Sequence, residues 1–212
     1  MTQKIALVTG GVGGIGTAVC RKLAEDGHFV VSNFALPGTE ERWREAMEES
    51  GHSHRSALAF ADVSDFESAG TMVRAVEAKY GSIDIVVNCA GITRDATFRK
   101  MTPEQWDQVI RVNLYSVFNV TKHVIEGMCE RGYGRIVNIS SINAVRGQFG
   151  QTNYAASKAA ILGFTKSLAQ EVIKKGVTVN AISPGYVDTD MTRAIRADIR
   201  EELVAAIPAG RM

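Results

Sequence analysis

The sequence has little of what marks secreted, membrane-embedded or metal-binding proteins. Only three cysteines occur in 212 residues, and they are far apart, with no C-x-x-C pair: Cys20, Cys89 and Cys129. An odd number of distant cysteines predicts free thiols in a reducing compartment. The four histidines offer no convincing ligand set, so we expect no metal site. No apolar run approaches the roughly 18–20 residues that span a bilayer, and no signal-peptide pattern opens the chain. These absences predict a cytoplasmic protein without a membrane segment.

An excess of charge of either sign is also missing. Lysine and arginine number 24 against 23 acidic residues, which gives a formal net charge of +1. A balanced charge gives no reason to expect nucleic acid or a membrane surface as a partner. The length and a hydrophobic content of 45% suit one globular domain over residues 1–212.

What the chain does contain is a regular alternation of short apolar runs and longer amphipathic stretches. The runs predict six strands: Ile5–Val8, Phe29–Ser32, Ala57–Ala61, Ile83–Val87, Ile136–Ile139 and Val177–Ile182. Helices are expected near 14–26, 40–50, 65–80, 103–130, 152–174 and 189–206. This alternation predicts a doubly wound α/β fold with a parallel, Rossmann-like sheet. Ligands of such sheets bind beyond the carboxyl ends of the strands.

A glycine-rich turn joins the first strand to the first helix. Glycines there let backbone amides approach a pyrophosphate, and the helix N-terminus favours its negative charge. Two registers fit the turn: G-x-x-x-G-x-G on Gly10, Gly14 and Gly16, or G-x-G-x-x-G with Gly11 and Gly13 in place of the first two. A purely structural turn is the alternative, but the β-α-β context favours dinucleotide binding.

The choice between NAD and NADP stays open at the end of the second strand. An acid that would bind the adenosine ribose of NAD is missing there, because the position carries Asn33. Arg42 and Arg44 are the local cations for the extra phosphate of NADP, but Glu40 and Glu41 lie beside them and would repel it.

Two further turns fall on the predicted ligand edge. Asp62 and Val63 follow the third strand, and Asn88, Ala90 and Gly91 follow the fourth. Residues of these types favour ordinary turns as well, so each signal is weak alone.

Catalytic chemistry is indicated by a serine, a tyrosine and a lysine. Ser141 follows the fifth strand, and Tyr154 and Lys158 lie at i and i+4 on one helix face. A free tyrosine, with a pKa of about 10, transfers protons poorly at neutral pH, and a nearby lysine cation lowers that pKa. The Ser141 hydroxyl can polarise a carbonyl on whose oxygen negative charge develops. A surface pair is the alternative, but all three residues with a glycine turn predict an oxidoreductase.

With these motifs the chain resembles the short-chain dehydrogenase/reductase family over essentially its whole length. The resemblance selects the Gly10, Gly14, Gly16 register and implies that Tyr154 is the proton donor in reduction. It adds Asn113 as a fourth catalytic residue and gives Lys158 a second role at the nicotinamide ribose. Cys89 replaces a common asparagine of the family. The cofactor contacts it implies are Gly10, Gly14, Ile15, Gly16, Asp62, Val63, Asn88, Ala90, Gly91, Tyr154, Lys158, Pro184, Gly185 and Thr189.

Within the family, the likeness is greatest to the reductases of acetoacetyl-CoA in polyhydroxyalkanoate synthesis. It rests on stretches such as 91–95, 98–102, 147–154, 183–186 and 194–196. It implies reduction to (R)-3-hydroxybutyryl-CoA with NADPH, NADH being possible, and a homotetramer. It also implies that a further helix and strand follow Met212. The acyl-CoA site would be lined by Asp95, Gln148, Phe149, Gln151 and Tyr186.

Two other functions remain open from the sequence. A 3-oxoacyl-[acyl-carrier-protein] reductase would run the same chemistry and could dock its acidic carrier on a basic patch of Arg131, Arg135, Lys174 and Lys175. A cofactor-sensing module without turnover would be expected to have lost catalytic residues, and all four are present.

Overall fold

The computed structural model describes residues 3–193 and 195–212 and confirms the doubly wound α/β fold. Six strands form one parallel sheet in the order β3-β2-β1-β4-β5-β6. They are β1 (Ile5–Thr9), β2 (Phe29–Phe34), β3 (Ser56–Phe60), β4 (Ile83–Asn88), β5 (Gly134–Ile139) and β6 (Val177–Ile182). The order reverses between β1 and β4, which is where such sheets bind ligands.

The strands are apolar at consecutive positions because both faces of the sheet are covered. Leu7 of β1 belongs to one buried cluster, whereas its neighbours Ala6 and Val8 belong to the cluster on the other face. Val30 and Val31 of β2 divide in the same way. Side chains of a strand alternate between faces, so a doubly covered strand needs apolar residues at every position.

The helices cover both faces of the sheet, and those that start after Asp65 and Thr102 begin at side-chain caps. They are α1 (Gly14–Glu25), α2 (Glu40–Glu49), α3 (Phe66–Tyr80), α4 (Pro103–Ile110), α5 (Ser116–Glu130), α6 (Asn143–Arg146), α7 (Thr152–Val172), α8 (Asp190–Arg193) and α9 (Ala197–Ala205). Thr102 and Gln105 form a capping box before α4, and Pro103 is its first residue, as the sequence predicts. In the described part of the chain, no helix is long and apolar enough to cross a membrane.

The helix expected over 103–130 is continuous but not regular. A π-helical turn, Arg111–Tyr115, separates α4 from α5 and carries the buried Asn113. Single π-helical turns are often found at functional sites. Periodicity cannot reveal such a turn, because its flanks keep the α-helical pattern.

The helix expected over 189–206 is wrong as a single element. It divides into α8 and α9, with Arg196 in an extended conformation before α9. The Thr192 hydroxyl donates to the carbonyl of Val187 at 2.7 Å, which ties the segment back to the loop that follows β6. Ala194, in the middle of the expected helix, lies outside the described residues. The sequence also gave no sign of the short helix α6.

Candidate active site

The glycine turn after β1 is packed so tightly that side chains are excluded from it. Gly10 has φ +60°, and a Cβ placed there would lie 2.8 Å from the Cα of Ala90. A Cβ on Gly16 would lie 2.3 Å from the carbonyl oxygen of Gly10, and one on Gly14 would lie 2.7 Å from Cγ2 of Thr189. Gly13, by contrast, has one neighbour at 3.3 Å. These distances favour the Gly10, Gly14, Gly16 register, although Gly11 is also crowded by Ser32.

Thr9, which the sequence did not single out, joins this turn to the end of β4. Its hydroxyl accepts hydrogen bonds from the backbone N–H of Cys89 at 3.0 Å and of Ala90 at 3.1 Å. The glycine turn and the 88–91 turn therefore meet where the strand order reverses. A cofactor fits here, because the glycines let the turn pack closely at the start of α1, whose N-terminal N–H groups attract a pyrophosphate.

At the edge where the sequence predicts the adenosine, side chains are bonded to the protein backbone. The Asn33 amide donates to the carbonyl oxygens of Ala61 at 3.0 Å and Ala59 at 3.3 Å, so it holds β3 instead of offering a carboxylate to a ribose. One carboxylate oxygen of Asp62 accepts from the N–H and hydroxyl of Ser64. The carbonyl of Val63 accepts from the Asn119 amide at 3.0 Å. Asp62 and Val63 thus stand at the predicted edge.

The catalytic candidates meet at the carboxyl end of β5. Lys158 is 4% exposed, and its Nζ donates to the carbonyl oxygen of Ile139 at 2.8 Å. The same Nζ lies 5.8 Å from the centre of the Tyr154 ring. The Ser141 hydroxyl accepts the N–H of Asn143 at 3.1 Å, and its interaction with Tyr154 works to lower the pKa of the phenol. A serine, a tyrosine and a lysine thus share one partly closed site.

Asn113 lies against this group on the opposite side of the 88–92 turn. Its Oδ1 accepts the N–H of Ile92 at 2.8 Å, and its Nδ2 donates to the carbonyl of Ile92 and the hydroxyl of Ser157, both at 3.1 Å. The Ser157 hydroxyl in turn donates to the carbonyl of Tyr154 at 2.7 Å. The side chain of Asn113 therefore connects the turn after β4 to the helix turn that carries Tyr154.

Beneath the catalytic group, a chain of buried amides crosses the sheet. Asn88 donates to Asn138 at 2.8 Å and to Thr121 at 3.2 Å, and Asn138 donates to Thr165 at 2.9 Å. These bonds link β4 and β5 to α5 and α7. Asn138 was not predicted, although an amide inside an apolar strand run is a signal that could have found it.

Burial shifts both titrating groups of the site toward their neutral forms. It raises the pKa of the Tyr154 phenol above its usual value, and the hydrogen bond with Ser141 works in the opposite direction. Burial lowers the pKa of Lys158 to about 8. The phenol is therefore a weaker acid here than a free tyrosine, contrary to the expectation that the nearby lysine cation lowers its pKa, whereas the ammonium is a stronger acid than that of an exposed lysine.

We expect the substitution Lys158→Met to stabilise the fold while removing the cation. A pKa of about 8, against about 10.4 for an exposed lysine, corresponds to a burial cost on the order of 3 kcal/mol. The unpaired carbonyl of Ile139 would offset about 1 kcal/mol of this. Urea denaturation at pH 7 should show a free energy of unfolding about 2 kcal/mol higher.

The sign of this effect depends on pH. In the wild type the burial cost is complete below the folded-state pKa of about 8, and it disappears as pH rises to the unfolded value of about 10.4. The advantage of Lys158→Met should therefore shrink between these two pH values. An unchanged or lower stability at pH 7 would contradict the burial argument.

The residues predicted for the acyl site are joined by two side chains that the sequence reasoning missed. Gln151 donates to the Asp95 carboxylate at 2.8 Å and accepts from Asn143 at 3.0 Å. Arg146 donates to Gln148 at 3.2 Å, to the Tyr186 hydroxyl at 3.0 Å and to Asn143 at 3.2 Å. Among the predicted residues, Phe149 stands apart, with 87% of its surface exposed.

The segment after β6 faces the glycine turn across a cleft. The carbonyl of Pro184 accepts the N–H of Ile142 at 2.9 Å, which aligns this segment with the turn after β5. Pro184 and Thr189 line one side of a cleft of about 390 Å³, and Gly14 and Ile15 line the other. Gly185 lies between Pro184 and Tyr186 on the same segment. The cofactor residues predicted from the two ends of the chain thus converge.

The basic patch considered for a carrier protein lies elsewhere. Arg131 precedes β5, and Lys174 and Lys175 precede β6, so these residues lie at the amino ends of strands. The Arg131 guanidinium donates to the carbonyl of Ile83, and that of Arg135 donates to the carbonyl of Gly176. Six-residue strands separate this edge from the catalytic edge of the same chain by about 20 Å.

Comparison with known proteins identifies the family. The family model described as short chain dehydrogenase matches residues 4–200. The chain belongs to the short-chain dehydrogenase family. An acetoacetyl-CoA reductase of Allochromatium vinosum is 55% identical over 99% of this chain and 85% of its own length. A 3-oxoacyl-[acyl-carrier-protein] reductase of Vibrio harveyi is 42% identical over 99% of this chain and 84% of its own length.

A solved short-chain dehydrogenase relative has nearly the same fold. An actinorhodin polyketide ketoreductase crystallised with NADPH superposes with a TM-score of 0.92 and 33% identity, over 99% of this chain and 84% of that one. The fold described above is therefore that of a nicotinamide-dependent oxidoreductase of this family.

Proposed function

We propose that this short-chain dehydrogenase reduces acetoacetyl-CoA to (R)-3-hydroxybutyryl-CoA for polyhydroxybutyrate synthesis in the cytoplasm. The observation that carries the proposal is the bonded group of Gln148, Gln151, Asp95 and Tyr186 beside the catalytic serine and tyrosine. Similarity supports it as well, since an acetoacetyl-CoA reductase is 55% identical to this chain over the aligned residues, against 42% for the carrier-protein reductase.

The catalytic side chains suit reduction of a ketone. When bound, the nicotinamide supplies the hydride. Ser141 holds the substrate oxygen by hydrogen bonding as negative charge develops on it. Tyr154 donates the proton from its hydroxyl, and the Lys158 cation stabilises the phenolate that remains. Asn113 keeps the turn bearing Tyr154 in register with the 88–92 turn.

The carrier is tested by comparing kcat/KM on acetoacetyl-CoA and on acetoacetyl-[acyl-carrier protein] with the same enzyme preparation. We expect a preference for the CoA thioester, because the basic patch proposed for a carrier lies on the edge away from the catalytic residues of its own chain. A preference of about tenfold or more for the carrier-linked substrate, or 1.4 kcal/mol, would establish the alternative function.

We propose NADPH as the preferred reductant, with NADH as the alternative. The side chain of Asn33 is occupied by β3 carbonyls and offers no carboxylate to a ribose. Glu40 and Glu41 begin α2 nearby and oppose a phosphate. Steady-state titration of both nucleotides should give a higher kcat/KM with NADPH. Equal kcat/KM values, or a higher value with NADH, would indicate that Glu40 and Glu41 determine the cofactor preference. Glu41→Gln, which removes one exposed acid, should then shift the ratio toward NADPH.

We propose a homotetramer as the working assembly. Exposed aromatic side chains on α3, α4 and the helix that follows give a face suited to another copy: Phe66, Trp106, Tyr115 and Phe118. Aromatic residues are enriched in interfaces between proteins. Sedimentation equilibrium should give four times the chain mass, and a monomer at micromolar concentration would refute the assembly.

A further inference from the structure

Arg146 is unusual because its exposed, positively charged guanidinium is bonded to neutral side chains at the mouth of the site. One of its terminal nitrogens donates to the Tyr186 hydroxyl at 3.0 Å and to Oε1 of Gln148 at 3.2 Å. Its Nε donates to Oδ1 of Asn143 at 3.2 Å. None of the ion pairs found among the described residues involves it.

These contacts connect separate segments of the chain. Asn143 and Gln148 follow β5, whereas Tyr186 follows β6. Through Asn143 the connection continues to Gln151 and from there to Asp95, which follows β4. Turns after three adjacent strands are therefore held together, and Arg146 adds side-chain contacts between the second and the third, which the backbone bond from Ile142 to Pro184 also joins.

The same network reaches the catalytic group. The backbone N–H of Asn143 donates to the hydroxyl oxygen of Ser141, while the Asn143 side chain accepts from Arg146. A planar guanidinium fixes its partners in direction as well as distance, which a flexible ammonium cannot do. The Arg146 side chain thus helps to orient Gln148 and Tyr186 relative to Ser141, together with the direct Tyr186–Gln148 contact at 3.4 Å and the backbone bond between Ile142 and Pro184.

We propose that Arg146 is a positioning residue for the acyl group, holding Gln148 and Tyr186 in the orientation that receives a short 3-oxoacyl chain. This inference rests on the proposed function, since it assigns those two residues to the acyl site. Arg146 acts through them and does not touch the acyl group. The loss of its contacts should therefore weaken acyl binding for any carrier and leave cofactor binding unchanged.

The experiment compares Arg146→Met and Arg146→Lys with the wild type on two substrates, acetoacetyl-CoA and acetoacetyl-N-acetylcysteamine, which carries the same acyl group without phosphates. For Arg146→Met we expect KM to rise about tenfold on both substrates, with kcat changed less than about threefold. Arg146→Lys should recover little of this loss, because one ammonium cannot reproduce the paired contacts. Arg74→Met, which removes an exposed arginine bonded to Thr71 on α3, is the matched control and should behave as wild type.

The outcomes separate the possible roles. A KM increase confined to acetoacetyl-CoA, and recovered by Arg146→Lys, would show that the cation binds the CoA phosphates and would overturn the proposal. So would unchanged KM values, or an equal loss of NADPH affinity measured by fluorescence. Adding Arg146→Met to a Tyr186→Phe enzyme should cost less than it does in the wild type, because the shared contact is already gone. Full additivity would count against the role.

The proposed function is tested by the activity of the wild-type enzyme, whereas the role of Arg146 is tested by its variants. If the wild type prefers the carrier-linked substrate, the comparison on acetoacetyl-N-acetylcysteamine still decides the role of Arg146, since the acyl group is common to both. If the wild type reduces no 3-oxoacyl thioester, the proposed function and this inference both fall.

Discussion

Tyr154→Phe should lower kcat for ketone reduction roughly a thousandfold, which is typical of removing a general acid. The substitution removes one oxygen and leaves the ring, which packs within 5.8 Å of the Lys158 ammonium. The backbone bonds of Tyr154 to Asn153 and Ser157 do not involve the phenol and should persist. The measurement is single-turnover oxidation of NADPH at saturating acetoacetyl-CoA.

Binding provides the control for this prediction. The dissociation constant for NADPH should change by less than about twofold, since the lost hydroxyl is one contact among many. Retained turnover in Tyr154→Phe would refute the assigned proton donor. A wild-type enzyme that binds nicotinamide with no turnover on any ketone would favour the cofactor-sensing module instead.

Gly16→Ala should abolish nucleotide binding, with the dissociation constant for NADPH raised by about a hundredfold or more, as for the loss of about 3 kcal/mol. The new Cβ would lie 2.3 Å from the carbonyl oxygen of Gly10 and 2.7 Å from the Cα of Gly11. Both atoms belong to backbone, so the turn itself must move. Because Gly10 is packed against Ala90, that movement would also disturb the turn after β4.

Gly163→Ala offers a matched control for the same chemical change. Gly163 lies within α7, and a Cβ there would meet nothing within 4 Å. Alanine is the better helix former, so this variant should be more stable by about 0.5–1 kcal/mol and should bind NADPH normally. Fluorescence titration of both variants, alongside urea denaturation, separates a lost site from a lost fold. Normal binding by Gly16→Ala would mean that the turn relaxes without cost.

The strands and the grouping of Ser141, Tyr154 and Lys158 at the end of β5 were predictable because their signals are local. Runs such as Ile83–Asn88 are apolar on both faces, and Tyr154 and Lys158 lie one helical turn apart. Asn113 could be predicted from the family resemblance, but the π-helical turn that buries it could not, since the flanking periodicity is ordinary. Arg146 and Asn143 were missed because their importance lies in contacts between segments distant in the chain. An exposed arginine in a polar stretch has no distinguishing local pattern.

The π-helical turn Arg111–Tyr115 has a consequence for insertions and deletions. Such a turn contains one residue more than a regular helix would use, and each residue of an α-helix advances by about 100°. A chain shortened by one residue in this turn could form a straighter helix and would rotate Asn113 away from Ile92 and Ser157, its two partners. The extra residue of this turn thus sets the rotation of α4 relative to α5. Both helices keep their packed faces, while Asn113 between them points into the site.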